Sequence, residues 1–494
     1  MKRYAPLAAP DDAGAWRDMS GFWPTRLGTY KNSNALTATT KTATGETAAT
    51  YAYAAKTLTG QRAYLVGAVG IWEINSAGAA APGSMTLTDR TGGVTIGANP
   101  HMTQFGNATI CAMGAAAGTP TVVSTGGNFA ALGGGSPSAE IAVTVRGCVL
   151  LFNYYDGANT YTDGWWASDT FDYTVWTPAT SNEAANGRLL DTNGPIVAAI
   201  TIDDVVYAFK TDSIYRGTYV GRPLIWQWDC VVRGIGAVNG AKSAICAAGN
   251  EILFAASSAN GVAQTNIMRF DGVSQPRWID AEVGVPVIAS STVSADFLFD
   301  DSTQTLYITY RSPSSRRIYA YNLTTGLWGR SEAIVGALQH CAITGDISAI
   351  IALFNNGSAV SPHILYRSAA DTVTLQYPVA AASGATTIAP YVESHRYGRP
   401  DRKTSFSRVT PLLRSRATRS GGTPVCSGVM TTYRERHDSS AVTTANLTES
   451  TFRHRFDSLG SGSTENFAKF RVTFADIITE IDDLLIESQD AGAN

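Results

Sequence analysis

The chain is poor in charge. Asp, Glu, Lys and Arg make up 16% of its 494 residues, against about a quarter in an average soluble domain. A net charge of −3 offers no overall pull on nucleic acid. Cys111, Cys148, Cys230, Cys246, Cys341 and Cys426 are scattered, and no two form a Cys-x-x-Cys. They read as small buried hydrophobes in a reduced compartment. His101, His340, His363, His395, His437 and His454 are spaced too widely for two of them to hold one ion from a single element. No run of about eighteen apolar residues exists, which excludes a membrane-spanning helix. The charged start of the chain has no apolar stretch behind it, so no secretory leader is expected and synthesis in a cytoplasm is.

Catalytic signatures are missing as well. There is no Gly-x-Ser-x-Gly leading into a helical run and no Gly-x-x-x-x-Gly-Lys-Ser/Thr. A glycosidase needs two carboxylates across a cleft, one with a raised pKa, and no such pair can be singled out. Ser168 to Trp176 is a loose echo of the Asp-box turn of sialidases, but it lacks the glycine and is not repeated. The expectation is a protein without enzymatic activity, cofactor or metal.

What the chain does have is a period. Trp228, Trp278 and Trp328 lie fifty residues apart. Each follows a short aromatic or β-branched strand and a turn. One unit runs through 205–209, 213–217 and 224–228. The next runs through 251–254, 267–270 and 277–279, and the third through 305–308, 317–321 and 327–328. In each, the first segment is almost wholly apolar, as a strand buried on both faces should be. The middle one alternates apolar and polar residues, as a half-buried strand should. A fourth unit degrades across 349–375, an earlier one spans 149–176, and weaker ones surround 63–74 and 108–131. A single such sheet cannot bury both its faces, so several must stack. The reading is all-β: a β-propeller of six or seven blades. Trp176, Trp228, Trp278 and Trp328 are expected to pack between blades. A substitution such as Trp278→Ala is then expected to cost about 3–5 kcal/mol of stability.

The period is expected to occupy residues 61–380. Residues 1–60 carry Trp16, Trp23 and a Thr/Ala-rich stretch, and read as an extended arm laid on the propeller or on a neighbouring subunit. Residues 381–494 are dense in arginine and end in acids. They read as a β-sandwich-like C-terminal domain, although Ile477, Ile481, Leu484 and Leu485 also fit a helical stripe. Arg402, Arg408, Arg414, Arg416, Arg434 and Arg436 are candidate interface residues, because a planar guanidinium pairs well with carboxylates on a partner.

The stretch from Val205 to Trp228 continues through 234–237, 248–254 and 268–272 in a pattern that resembles the tail nozzle proteins of short-tailed bacteriophages, also called tail tubular protein B or tail hub. Trp16–Met19, Pro24–Tyr30 and Arg402–Thr404 are similar in style. The likeness is one of pattern over most of the chain. It implies a homohexameric ring below the portal–adaptor complex of a virion tail, assembled in the host cytoplasm. Such a ring would bind the tail adaptor, anchor fibres or spikes, and let double-stranded DNA pass at ejection. Its lumen-facing loops are expected to be neutral or acidic, since a conduit should not grip phosphates. The alternatives are a propeller that binds or depolymerises polysaccharide, and a kelch-like interaction module.

Overall fold

The computed structural model describes residues 3–5, 15–32, 35–42, 44, 49–57, 60–75, 86–97, 100–238, 242–258, 266–285, 294–301, 303–312, 315–332, 347–355, 358–369, 372–379, 391–395, 397–398, 404–415, 426–433, 443–447, 456–457, 464–465, 467–474 and 480–490. All its named elements are β-strands.

Seven small antiparallel sheets follow one another along the chain. Blade 1 comprises Ala49–Thr57, Gly60–Gly67, Ile71–Asn75 and Thr86–Asp89. Blade 2 comprises His101–Phe105, Ala108–Ala112, Val122–Ser124 and Ala130–Ala131. Blade 3 is Ser138–Val145, Cys148–Tyr155, Thr160–Ala167 and Ala185–Arg188. Blade 4 is Ile196–Ile202, Val205–Lys210, Ser213–Gly221 and Ile225–Arg233. In blade 5, Ile235–Ala237 and Ile245–Ala248 share the first position, ahead of Glu251–Ser258, Asn266–Phe270 and Arg277–Trp278. Blade 6 is Ser294–Asp300, Thr305–Ser312, Ser315–Asn322 and Trp328–Glu332.

Blade 7 closes the ring with a strand from the far end of the sequence. Ile347–Asn355, Ser358–Ala369 and Thr372–Val379 are completed by Ala35–Thr42, antiparallel to the last of them from Thr372↔Thr42 to Val379↔Ala35. The first strand of blade 7 in turn lies beside that of blade 1. The protein is therefore a seven-bladed β-propeller whose ring is clasped by an N-terminal strand.

Each blade is stabilised by the next. Blades 3 and 4 share a core containing Leu150, Phe152, Val206 and Trp226. Blades 4 and 5 share one containing Phe209, Phe254 and Phe270. The second strand of blade 4 is buried along nearly its whole length, as its apolar run requires.

Two further sheets form the second module. One orders Arg3–Tyr4, Ala15–Ser20, Tyr391–Ser394, Phe467–Phe474, Cys426–Tyr433 and Thr443–Leu447. The other orders Phe22–Pro24, Tyr30–Asn32, Glu480–Asp490, Thr404–Ser415 and Phe456–Asp457. The chain crosses from one sheet to the other at Gly21, whose φ of 78° is a left-handed conformation that favours glycine. Phe22 meets Phe474 edge to face at 5.7 Å.

This corrects the expected organisation of residues 1–60. Residues 3–32 are strands of the C-terminal module, and 35–42 and 49–57 are propeller strands, so no separate arm exists among the described residues. The helical alternative near the C-terminus also fails from 480 onward. Glu480–Asp490 pairs with Thr404–Ser415, and that ladder satisfies its backbone.

Candidate functional site

The fifty-residue tryptophans occupy one architectural position. Trp228, Trp278 and Trp328 each lie on the fourth strand of their blade, in blades 4, 5 and 6. Their side chains meet different fates. Trp228 is half-buried between blades 3 and 4, 5.8 Å from Phe152 and 5.6 Å from Trp165. Gly217 lies opposite it, where an added Cβ would stand 2.7 Å from the indole. Trp328 is buried against Tyr321 at 4.8 Å. Trp278 departs from the expected packing role. It is 51% exposed, and its indole N–H caps the buried Asp280 carboxylate. Trp176 is fully buried, but it sits on the loop between the third and fourth strands of blade 3, where its N–H donates to the Tyr173 carbonyl at 2.8 Å.

Propeller and sandwich share one core. Trp16, Met19, Phe22 and Tyr30 pack in a single cluster with Leu306, Tyr319 and Trp328 of blade 6 and with Val392, Met430 and Phe470 of the sandwich. Charged groups meet in the same seam, with Arg330 and Glu393 buried. Arg330 on the outer strand of blade 6 reaches Asp18 Oδ1 at 3.1 Å and donates to the Tyr391 hydroxyl at 3.2 Å. That hydroxyl donates to Asp18 Oδ2 at 2.9 Å, closing a triangle between three distant segments. Burial, with Asp18 adding to it, pushes the Tyr391 hydroxyl up to about 12. Arg471 stacks over the Tyr391 ring at 4.4 Å and pairs with Glu393 at 2.8 Å, and Lys469 pairs with the same carboxylate at 3.0 Å. Arg3 forms a two-pronged pair with Glu282, at 2.6 and 2.8 Å. Sandwich and propeller approach so closely that a Cβ on Gly329 would stand 2.4 Å from the carbonyl oxygen of Phe22.

The second feature is a cavity of about 390 Å³ on the propeller axis, walled among the described residues by the inner edges of blades 1 to 6. Tyr51 and Tyr53 come from blade 1, His101 and Thr103 from blade 2, and Thr144 and Thr201 from blades 3 and 4. Lys242 and Asp296 come from blades 5 and 6. His101 Nδ1 lies 3.0 Å from the Ala142 carbonyl, and burial, aided by Lys242, lowers its pKa to about 3. The Lys242 ammonium donates to the Glu140 carbonyl at 2.6 Å and to its carboxylate at 2.8 Å. Burial lowers the Lys242 pKa, and Glu140 opposes that shift. Thr103 and Thr144 hydroxyls bond at 3.0 Å. The nearby Cys111 thiol is pushed up to about 12 by burial, which leaves it inert.

The sequence did not single out these residues. His101 reads there as one more satisfied histidine, since its cavity partners lie forty or more residues away. A usable signal exists in hindsight: Tyr51-Ala-Tyr53, His101-Met-Thr103, Ala142-Val-Thr144 and Ala199-Ile-Thr201 recur at the start of successive blades.

The candidate interface arginines are only partly described. Arg408 and Arg414 lie on Thr404–Ser415, where Arg408 stands in register between Asp457 and Glu487. Arg402, Arg416, Arg434 and Arg436 lie outside the described residues. Among the described residues no group of three or more His, Cys, Asp or Glu side chains could hold a metal ion. No described helix is long and apolar enough to cross a membrane.

No protein-family model matches the chain, and no curated protein does. Similar solved structures include the WD40 domain of Toxoplasma gondii coronin, with a TM-score of 0.41 and 9% identity over 74% of this chain and 91% of that one. YCF48 from Cyanidioschyzon merolae gives 0.40 and 14% over 69% and 98%. The Neurospora crassa Pan2 WD40 domain gives 0.38 and 8% over 72% and 99%. The propeller is read from this chain's own strand pairing.

Proposed function

We propose that this chain is a structural subunit of a short bacteriophage tail, a nozzle or hub that assembles as a hexameric ring in the host cytoplasm. In that reading it sits below the portal and adaptor, anchors fibres or spikes, and conducts DNA at ejection. One observation supports it most: propeller and sandwich are fused through a continuous apolar core and a part-buried ionic triangle. Domains joined by ordinary polar interfaces are expected to move against one another. Here a swivel would expose Trp16, Phe22 and Trp328 and strip Arg330 of its carboxylate. A ring that holds fibres while DNA is driven through it needs such stiffness, whereas a hinged enzyme does not.

The axial cavity bears on the path of the DNA. Its size falls within the range of small-molecule pockets, about 300–1,000 Å³, and a duplex does not fit such a space. The DNA would pass through the lumen between subunits, not along the axis of any one propeller. Mass spectrometry of purified virions, with electron cryomicroscopy of the tail, tests the reading. The expected result is this chain in six copies around a channel next to the portal complex. Its absence from particles would overturn the proposal.

A further inference from the structure

We propose that the axial cavity is a binding site for an uncharged, polyhydroxylated ligand of mono- or disaccharide size. The space is the first argument. At about 390 Å³ it would hold roughly a dozen waters at about 30 Å³ each, or one small organic molecule. The chemistry of the wall is the second. Tyr51, Tyr53 and Phe297 supply ring surface, and Thr103, Thr144 and Thr201 supply hydroxyls. The Tyr53 and Thr201 hydroxyls are bonded to no other group among the described residues. His101 adds a neutral imidazole. Its Nδ1 faces both the Ala142 carbonyl at 3.0 Å and the Ala142 amide at 3.4 Å, so the tautomer sets whether Nε2 donates or accepts. The ring stays neutral across the physiological range.

Charge selects against anions. Among the described residues, the one lysine on this wall has its ammonium bound to the Glu140 carboxylate and carbonyl, and so is compensated rather than free to hold an anion. Asp296 and Asp301 on the blade 6 side repel anions further. Hydrogen-bonding groups of both kinds and aromatic surface together favour a sugar. The inference does not depend on whether the chain forms a ring.

The test uses the full chain, with titration calorimetry and saturation-transfer NMR. The probes are glucose, N-acetylglucosamine and lactose as neutral sugars, and maltoheptaose as a longer glycan offering only its ends. Sialyllactose is the anionic arm and choline the cationic one. At least one neutral sugar is expected to bind. Binding of maltoheptaose would indicate recognition of a glycan end, and binding of free sugars alone a small-molecule ligand. Tyr53→Phe and Thr201→Val conserve volume and are each expected to weaken binding about tenfold. Leu190→Ser, at an exposed position, should leave it unchanged. Absence of neutral-sugar binding at millimolar concentration would overturn the proposal. So would binding confined to sialyllactose or choline, or neutral-sugar binding untouched by both cavity variants while their unfolding temperatures match the parent.

Discussion

The indole N–H of Trp328 donates to the carbonyl oxygen of Ile279 at 3.0 Å. The two residues are 49 positions apart, one on the last strand of blade 6 and the other just beyond the last strand of blade 5. Next to Ile279, the Asp280 carboxylate accepts from Trp278, from the Ile267 amide at 2.8 Å and from the Val285 amide at 3.1 Å. Two successive tryptophans of the fifty-residue series therefore fix the same short segment. One does so from the buried side and the other from the solvent side.

These two tryptophans should separate in a stability measurement. Trp328→Ala empties a buried site and is expected to cost about 3–5 kcal/mol. Trp278→Ala removes one hydrogen bond to a carboxylate that keeps two amide donors, and is expected to cost about 1 kcal/mol. Denaturant unfolding followed by circular dichroism reads both. Equal costs would show that exposure does not govern the difference.

Breaking the Asp18–Arg330 pair from one side should be severe. Asp18→Asn leaves the guanidinium buried without its countercharge, a situation that typically costs about 3–5 kcal/mol. The sandwich should loosen from blade 6 first, so limited proteolysis is expected to cut between the modules in the variant and not in the parent. Arg330→Met, which removes the charge and keeps much of the volume, is expected to be milder than Asp18→Asn.

Gly329 offers a steric test of the same seam. Gly329→Ala places a methyl 2.4 Å from the Phe22 carbonyl oxygen, which is backbone, and should cost about 1–3 kcal/mol. Gly127→Ala meets open space and is expected to stay within about 0.5 kcal/mol of the parent. Thermal unfolding of the two variants in parallel decides the matter.

Removing residues 1–32 should abolish soluble expression. It deletes strands from both sandwich sheets and uncovers the cluster around Trp328. Removing 35–42 takes the fourth strand from blade 7 and opens the ring. A deletion of 1–32 that remained soluble and unfolded cooperatively would show those strands to be dispensable.

Stability should depend on pH at both ends. His101 has its folded pKa lowered from 6.5 to about 3, so the unfolded chain takes up its proton first. The stability linked to it is present above pH 6.5 and is lost as pH falls toward 3. His101→Gln is expected to flatten the decline just below pH 6.5, where carboxylates have not yet begun to titrate. Tyr53 and Tyr391 shift the other way, from 10.0 up to about 12. Their contribution is present below pH 10 and is lost as pH rises through about 12. Thermal unfolding across this range checks both limbs.

The sequence by itself determined the blades. Hairpins pair residues close in the chain, so an apolar strand, an alternating strand and a turn residue are enough to write a sheet such as Val205–Lys210 against Ser213–Gly221. The tryptophan interval marked the fourth strands of blades 4 to 6 for the same local reason. Tertiary structure decided everything that joins distant segments. Ala35–Thr42 carries no sign of its partner more than three hundred residues away, because a Thr/Ala-rich strand will pair with any open edge and only ring closure presents one. Asp18, Arg330 and Tyr391 are unremarkable singly, and only the fusion of sandwich to propeller brings them together. Trp278 and Trp328 look alike in sequence. Their exposure differs because a side chain is buried by whatever stands opposite it, and that neighbour is supplied by the fold.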